Sequence, residues 1–344
     1  MREPEQSELV LVTGGSGYLG GWLIVALLRH GYRVRATLRS LTREAEVRAT
    51  IATQVGPTDA LHFVAADLLA DGGWTDATEG AHFILHAASP MPVGEFRDQD
   101  LIRPAREGTI RVLKAGVAAG ARRIVLTSSV EAARAANGLK DGPATDETVW
   151  TEPAAKGVND YTRSKTLAEQ DAWAFIKASG GATTLTTVLP AFIQGPVLGP
   201  DYSGSTEAVA RLLKGQVPAL PRVGFSIVDT RDLVDLHLSA MTSPQAAGQR
   251  FIASSDFLWF SDIARILRDR LGARAAKVPT RKAPDALIRL AAVFSADARQ
   301  LGPNLGRRSL FSSAKAERLL GWRPRPATDA IVACAESLLE AKLA

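Results

Sequence analysis

The chain reads as an α/β protein, with a doubly wound parallel sheet over residues 1–190 and a smaller α-rich lobe over 191–344. Three observations carry this expectation. Apolar runs of strand length alternate with helical patterns through the first half. A glycine-rich turn joins the first strand pattern to the first helix pattern. After Pro190 the rhythm breaks, and Gly195-Pro196, Gly199-Pro200, Pro218 and Pro221 punctuate the chain. Some segments of the second part are expected to return to the sheet.

Leu9–Thr13 is a short branched apolar run, hence a buried strand. Gly17–His30 carries Leu19, Leu23, Ala26 and Leu27 at helical spacing, and Gly31 ends it. Arg33–Leu38 is the second strand, Arg43–Gln54 a helix, Leu61–Ala65 the third strand and His82–Ala87 the fourth. Asp98–Ala119 reads as a long helix and Arg123–Ser128 as the fifth strand. Asp160–Ser179 is another helix, followed by Thr183–Leu189 as the sixth strand. Such alternation gives parallel strands joined by right-handed crossovers. The second part holds helix patterns at Asp232–Thr242, Phe260–Leu271, Pro284–Arg299, Ser313–Leu320 and Thr328–Ala341. A cleft is expected where the carboxyl ends of the strands face this lobe.

Composition excludes several classes. Hydrophobic residues make up 46% and charged residues 22%, as in ordinary globular domains and unlike disordered or repetitive chains. The single cysteine, Cys334, excludes an internal disulfide framework and a cysteine-based zinc site. His82 and His86 are four apart but on a strand, so they form no helical metal pair, and no metal is expected. Met1–Glu8 carries no leader pattern, and no apolar run approaches the roughly 20 residues of a membrane helix. A cytoplasmic protein with no membrane partner is the expectation. The net charge is +5, yet residues 263–326 hold 15 Lys+Arg against 4 Asp+Glu. No aromatic interleaving accompanies that excess, so it reads as a solvated basic face rather than a nucleic-acid surface. An electropositive lid for an acidic substrate is the sharper alternative. Trp150, Trp173, Trp259 and Trp322 read as core or lobe contacts, and Asp229–Asp232 as a helix cap.

Two constellations carry chemistry. Gly14, Gly17 and Gly20 lie in Thr13-Gly14-Gly15-Ser16-Gly17-Tyr18-Leu19-Gly20, between a strand and a helix. Glycines there permit a tight turn, a close approach to pyrophosphate and close helix packing, while the helix N-terminus faces the phosphates. That context points to a dinucleotide. The second strand ends Thr37-Leu38-Arg39-Ser40, where an NAD site usually places a carboxylate. Arg39, with Arg43 one turn on, matches a 2′-phosphate in charge and geometry, so NADP(H) is the expected cofactor. Asp67, after the third strand, suits either an adenine contact or a turn, and the small residues Ala87, Ala88 and Ser89 allow backbone close to the dinucleotide. Pro190 gives a rigid backbone that could seat the nicotinamide.

Tyr161 and Lys165 share one helix face a turn apart, and Ser129 closes the preceding strand. A tyrosine near an ammonium and the nicotinamide cation is expected to have its pKa, ordinarily about 10, lowered. It then donates a proton to a carbonyl oxygen as hydride reaches the carbon, or takes one in reverse. Ser129 would polarise that oxygen, and Lys165 would also bond the nicotinamide ribose.

At these residues the sequence resembles the extended short-chain dehydrogenases/reductases with their Rossmann-type fold. It is most similar to the branch of dihydroflavonol reductases, cinnamoyl-CoA reductases and microbial carbonyl reductases. The carrying stretches are VLVTGGSGYLGGWLIVALLRHGYRVRATLR (10–39), LHAASPM (85–91), VLTSSVEA (125–132), YTRSKTLAEQDAW (161–173) and LPAFIQGP (189–196). The resemblance implies cofactor contacts at Gly14, Gly17, Tyr18, Leu19, Arg39, Asp67, Leu68, Ala88, Ser89, Pro190 and Ile193, and the triad Ser129, Tyr161 and Lys165. Two departures stand out. Flavonoid-reducing relatives carry an Asn shortly after the serine, where this chain has Val130–Arg134, which argues against a flavonoid substrate. A basic residue one or two turns beyond Arg39 in relatives falls at Glu46 here, and Arg43 is the candidate replacement.

The expected function is NADPH-dependent reduction of a ketone or aldehyde to an alcohol, reversible as an alcohol dehydrogenase, by a monomer or homodimer acting on a small molecule. The alternatives are a hydroxysteroid or sugar-nucleotide enzyme of the same superfamily, and a non-catalytic NADP(H)-sensing protein.

Overall fold

The computed structural model describes residues 8–89, 100–134, 144–202, 204–294 and 304–344. The first strand, β1 (Leu9–Thr13), is buried at every position. Its side chains alternate between two apolar layers, Val10 and Val12 on one face and Leu11 on the other. A strand sandwiched this way must lie inside a sheet covered on both sides. Its neighbours are β2 (Arg33–Leu38) and β4 (Phe83–His86), both parallel to it. Beyond them lie β3 (Leu61–Ala65) on one side, and β5 (Arg123–Thr127) and β6 (Thr184–Pro190) on the other. The seventh strand is β9 (Arg250–Ala253), and the order is β3-β2-β1-β4-β5-β6-β9, all parallel. The order reverses between β1 and β4, and such a switch point opens a crevice at the strands' carboxyl ends.

Helices cover both faces. On one lie α1 (Tyr18–Arg29), α2 (Glu44–Val55) and α7 (Thr230–Thr242), with Leu23, Leu27, Val47, Leu233 and Leu236 in the shared core. On the other lie α3 (Trp74–Thr78), α4 (Ile102–Ala118) and α5 (Asp160–Ser179), packed through Trp74, Val112, Leu113 and Ala172. The remaining elements build a second body. There β7 (Phe192–Gln194), β8 (Gly224–Asp229) and β10 (Phe257–Trp259) form a small sheet in the order β10-β8-β7. Around it pack α6 (Gly204–Leu213), α8 (Phe260–Leu271), α9 (Asp285–Phe294) and α11 (Ala327–Glu340), while α10 (Ala314–Leu320) rests on β9 and α7. Leu212, Ile263, Leu267, Ile331, Cys334 and Leu338 make the core of this body.

The structure differs from the sequence reading in places. The long helix expected over Asp98–Ala119 spans Ile102–Ala118, and residues 98–99 lie outside the described residues. The helix expected over Pro284–Arg299 is described from Asp285 to Phe294, and its last residues lie outside the described set. Helix α3 and helix α6 have no counterpart in that reading, which gave no bounds for the four strands after Pro190; one of them, β9, returns to the main sheet. Among the described residues no helix is long and apolar enough to cross a membrane.

Candidate active site

The loop after β1 is built around two glycine positions. Gly14 has φ +72°, in the left-handed region, and a Cβ there would lie 3.0 Å from the Ala88 Cα. The loops after β1 and β4 therefore touch at Gly14. At Gly20 a Cβ would sit 2.1 Å from the Gly14 carbonyl oxygen, so only glycine lets α1 turn back this closely on its own loop. Gly17 caps α1 in an extended conformation, with no side chain bonded to the helix's first amides. Those N–H groups and the positive end of the helix dipole suit an anion. Tyr18 itself is buried, and desolvation beside Cys334 and Asp229 keeps its hydroxyl protonated. Its backbone, rather than its phenol, faces the loop's task. Leu19 is likewise buried.

Arg39 follows β2 as an exposed residue. Arg43 follows on a short 3-10 turn and donates to both oxygens of Glu46, at 3.1 and 3.0 Å, and to Asp201. Arg43, Glu46 and Asp201 line an open groove with Gly15–Tyr18 and Leu198–Pro200. The Asp67 carboxylate accepts the Leu69 N–H at 2.9 Å, so it shapes the turn after β3, while Leu68 packs against Gly108 of α4.

Across the sheet, the Thr13 hydroxyl accepts the Ala88 N–H at 3.0 Å and meets the His86 Nδ1 at 2.7 Å. Burial, with Lys165 nearby, pushes His86 down to about 3, so it is a neutral hydrogen-bonding partner. His82 accepts the Leu9 N–H, 3.2 Å away, through its own Nδ1. The two histidines thus have separate structural roles. Ala87, Ala88 and Ser89 follow β4 half-buried. Pro190 pairs with Ala253 of β9, and Ile193 pairs with Val228 in the small sheet.

Ser129 follows β5. Its hydroxyl accepts the Glu131 N–H at 3.2 Å and caps the 3-10 turn Val130–Ala133. Asn159 caps α5 by accepting the Thr162 N–H at 2.8 Å, which places Tyr161 in the helix's first turn. The Tyr161 phenol lies near the Ser129 hydroxyl, which favours its charged form. Lys165 lies one turn on, 8% exposed. A hydroxyl, a phenol and an ammonium therefore meet at the strands' carboxyl ends, beside the glycine loop.

The protein groups alone, without the nicotinamide cation, do not bring about the expected lowering of the tyrosine pKa. Burial pushes Tyr161 up to about 12; the Ser129 hydroxyl opposes this, and Glu131 adds to it. Burial also pushes Lys165 down to about 8, with Glu169 opposing. Desolvation disfavours both charged forms here and outweighs their neighbours. Tyr161 is consequently a firm phenol, the form an acid requires.

Three supporting groups escaped the sequence reading. Glu169, fully buried, accepts from Ser128 at 2.6 Å, Thr187 at 2.8 Å and Arg250 at 2.8 Å. Arg250 also donates to the carbonyls of Glu147, Val149 and Ala132, and its guanidinium stacks 3.6 Å from the Trp150 ring centroid. Glu131 accepts from Thr162 at 2.6 Å. Only Glu169 left a trace in the sequence, standing one turn beyond Lys165 on the same helix. The other tryptophans are structural: Trp173 reaches Glu169, Trp322 donates to the Asp232 carbonyl at 2.7 Å, and Trp259 meets Phe257 edge-on. Asp229 caps α7 as expected, accepting the Arg231 N–H at 2.8 Å.

A family model described as the NAD dependent epimerase/dehydratase family matches residues 10–253. The chain belongs to that family. Its similarity to the reductase branch of the extended short-chain dehydrogenases/reductases is borne out by curated relatives. Cinnamoyl-CoA reductase CAD2 of Medicago truncatula is 34% identical over 276 residues, covering 78% of this chain and 82% of that protein. Dihydroflavonol 4-reductase of Zea mays is 34% identical over 271 residues, covering 76% and 74%. The solved structure of yeast methylglyoxal/isovaleraldehyde reductase Gre2 with NADPH superposes with a TM-score of 0.78. It covers 97% of this chain and 99% of that one at 22% identity, a likeness of fold.

Proposed function

We propose that this protein is an NADPH-dependent oxidoreductase that reduces a ketone or aldehyde to an alcohol. The observation that carries the proposal is the gathering of Ser129, Tyr161 and Lys165 at the strands' carboxyl ends, beside a glycine loop whose helix amides are free of side-chain caps. The amides at the start of α1, the Gly14 and Gly20 backbone, Ala87, Ala88, Ser89, Pro190 and Ile193 would hold the dinucleotide, with Arg39 and Arg43 at its 2′-phosphate. When bound, that cofactor supplies the hydride for the carbonyl carbon.

The chain's own residues handle the proton. Ser129 donates a hydrogen bond to the carbonyl oxygen and draws electron density from its carbon. Tyr161 gives its phenolic proton to the same oxygen as the alkoxide forms. The Lys165 ammonium then stabilises the phenolate left behind, and Tyr161 regains a proton from solvent. One carbonyl and one proton are consumed with the hydride, and one alcohol is released. In reverse, Tyr161 as phenolate, held by the Lys165 ammonium, would take the alcohol's proton, and the same residues would serve an alcohol dehydrogenase. The departure at Val130–Arg134 directs the reading toward ketones, keto-esters and aldehydes rather than flavonoids.

The test is NADPH oxidation by the purified protein against aryl ketones, keto-esters and aldehydes, with NADH alongside and Tyr161→Phe as control. Turnover with NADPH that Tyr161→Phe abolishes is the expected result. Undiminished turnover in Tyr161→Phe refutes the acid assignment. Dinucleotide binding without turnover on any carbonyl favours a sensor, and a sugar-nucleotide substrate favours an epimerase. The lone buried Cys334 suits a reducing cytoplasm, and size-exclusion chromatography distinguishes monomer from homodimer.

A further inference from the structure

We propose that Asp201, together with Glu46, sets how strongly this protein prefers NADPH over NADH, by competing with the 2′-phosphate for the Arg43 guanidinium. This rests on the reading that the groove beside the glycine loop takes a nicotinamide dinucleotide. Arg43 lies four residues beyond Arg39 and is the second cation available to a 2′-phosphate. Its Nε and Nη2 are already taken, the pair by Glu46 and the Nη2 also by Asp201.

Asp201 reaches Arg43 from the opposite wall of the groove, 158 residues away in sequence. Its segment is anchored. The Trp22 Nε1 of α1 donates to the Pro196 carbonyl at 2.9 Å, and the Val197 N–H donates to the Ser337 hydroxyl at 2.9 Å. Leu198 fills the space above Gly21, where a Cβ would meet its Cδ1 at 3.0 Å. Asp201 therefore closes an anchored strap onto α2, and is not a loose surface carboxylate that happens to meet an arginine.

Glu46 and Asp201 turn the +1 that Arg43 alone would bring to this corner of the groove into −1. A phosphate dianion gains little from such a corner, and must displace hydrogen bonds to claim Arg43. The uncharged ribose 2′-hydroxyl of NADH loses nothing there and can donate to a carboxylate. The outcome is a compressed preference for NADPH, set by Asp201 and Glu46.

The experiment measures the dissociation constants of NADPH and NADH by quenching of the protein's tryptophan fluorescence. It compares wild type with Asp201→Asn, Glu46→Gln, Arg43→Ala and Arg43→Ala/Asp201→Asn. Asp201→Asn is expected to tighten NADPH roughly three- to tenfold and to leave NADH within about twofold. Glu46→Gln acts in the same direction. The gain shrinks at about 0.5 M salt, because the groups are exposed. It disappears in the Arg43→Ala background, because the competition runs through that side chain. An Asp201→Asn variant that changes both dinucleotides alike, or that gains without Arg43, overturns the proposal. A wild type that binds neither dinucleotide overturns the proposed function beneath it as well, whereas binding of both with a ratio indifferent to Asp201 and Glu46 overturns this inference alone.

Discussion

Arg250→Met removes the cation from an ion pair whose side chains are 8% and 0% exposed. Glu169 keeps the hydroxyls of Ser128 and Thr187 but loses the Arg250 Nε at 2.8 Å and Nη2 at 3.4 Å. The carbonyls of Glu147 and Val149 lose the guanidinium at 2.7 and 3.0 Å, and that of Ala132 loses it at 3.3 Å but keeps the Thr151 N–H. Methionine keeps much of the side-chain volume against Trp150, so the loss is electrostatic rather than a cavity. A buried charge stranded by removal of its partner costs about 3–5 kcal/mol. For 344 residues the unfolding entropy is about 0.7 kcal/mol per degree, so Tm falls by about 4–7 °C. Urea unfolding followed by circular dichroism at pH 7 reads the difference directly, provided the slope is unchanged. Adding Glu169→Gln to Arg250→Met is expected to recover at least about 1 kcal/mol, because the amide carries no charge to strand. A single variant that loses less than about 1 kcal/mol, or a double variant worse than the single, refutes the argument.

Further outcomes follow from the same geometry. Gly20→Ala drives a Cβ to 2.1 Å from the Gly14 carbonyl oxygen, so the loop must open, and dinucleotide titration should show binding weakened about tenfold or more. Burial holds His86 down to about 3 and His237 to about 4. The unfolded chain takes up those protons near pH 6.5 and the folded one does not, so stability falls with acid below that pH. The loss is about 2 kcal/mol per histidine by pH 5, and a urea midpoint unchanged between pH 7 and 5 would refute it. Lys165 is held down to about 8, so reductase turnover should decline as pH rises through that value and the ammonium disappears. Lys165→Met should lose about 100-fold in kcat and lose that limb of the profile, whereas wild-type turnover that keeps rising above it counts against an ammonium role.

The parts legible in the sequence are those whose structure is local. The three strands β1, β2 and β3 match their expected bounds because each is a short stretch closed by turn residues and set in the strand–helix alternation of the first half. Helix α5 matches because Asn159 and Gly180 mark its ends. The glycine loop and the Tyr161–Lys165 spacing are local in the same sense. What escaped depends on distant partners or on lengths too small for a period to register. Helix α3 has five residues, and β7 has three. Strand β9 opens on an arginine, and only its pairing with β6 makes Arg250 an interior residue. Its carboxylate partner lies 81 positions earlier, a separation no motif encodes. The pKa direction that the protein groups alone give Tyr161 escaped for the same reason, since burial is a property of the assembled fold.

The sheet order explains why one edge carries the whole site. Strands β1, β4, β5 and β6 are consecutive neighbours, so Gly14, Ala88, Ser129 and Pro190 all emerge from adjacent carboxyl ends. Cross-links keep that edge in register: Thr13 ties β1 to the loop after β4, and the Ser128 N–H donates to the Val188 carbonyl at 2.8 Å. Glu169 then binds α5 to β5, β6 and β9 at once, directly below Lys165. The family match runs over residues 10–253, from the first strand to the last residue of β9, and ends where this frame ends. The frame is where a dinucleotide and a proton donor must hold fixed positions. Helices α8 to α11 lie beyond it and carry no residue of that machinery. On the proposed function, substrate choice would fall to them and to the connections that follow β4, β5 and β7. Exchanging α8 to α11 and the connections beyond Ser89 and Ser129 between two such reductases should move the preferred carbonyl while leaving the pH limb of Lys165 and the NADPH-to-NADH ratio in place, whereas exchanging the connection after β7 carries Asp201 with it and should move the ratio.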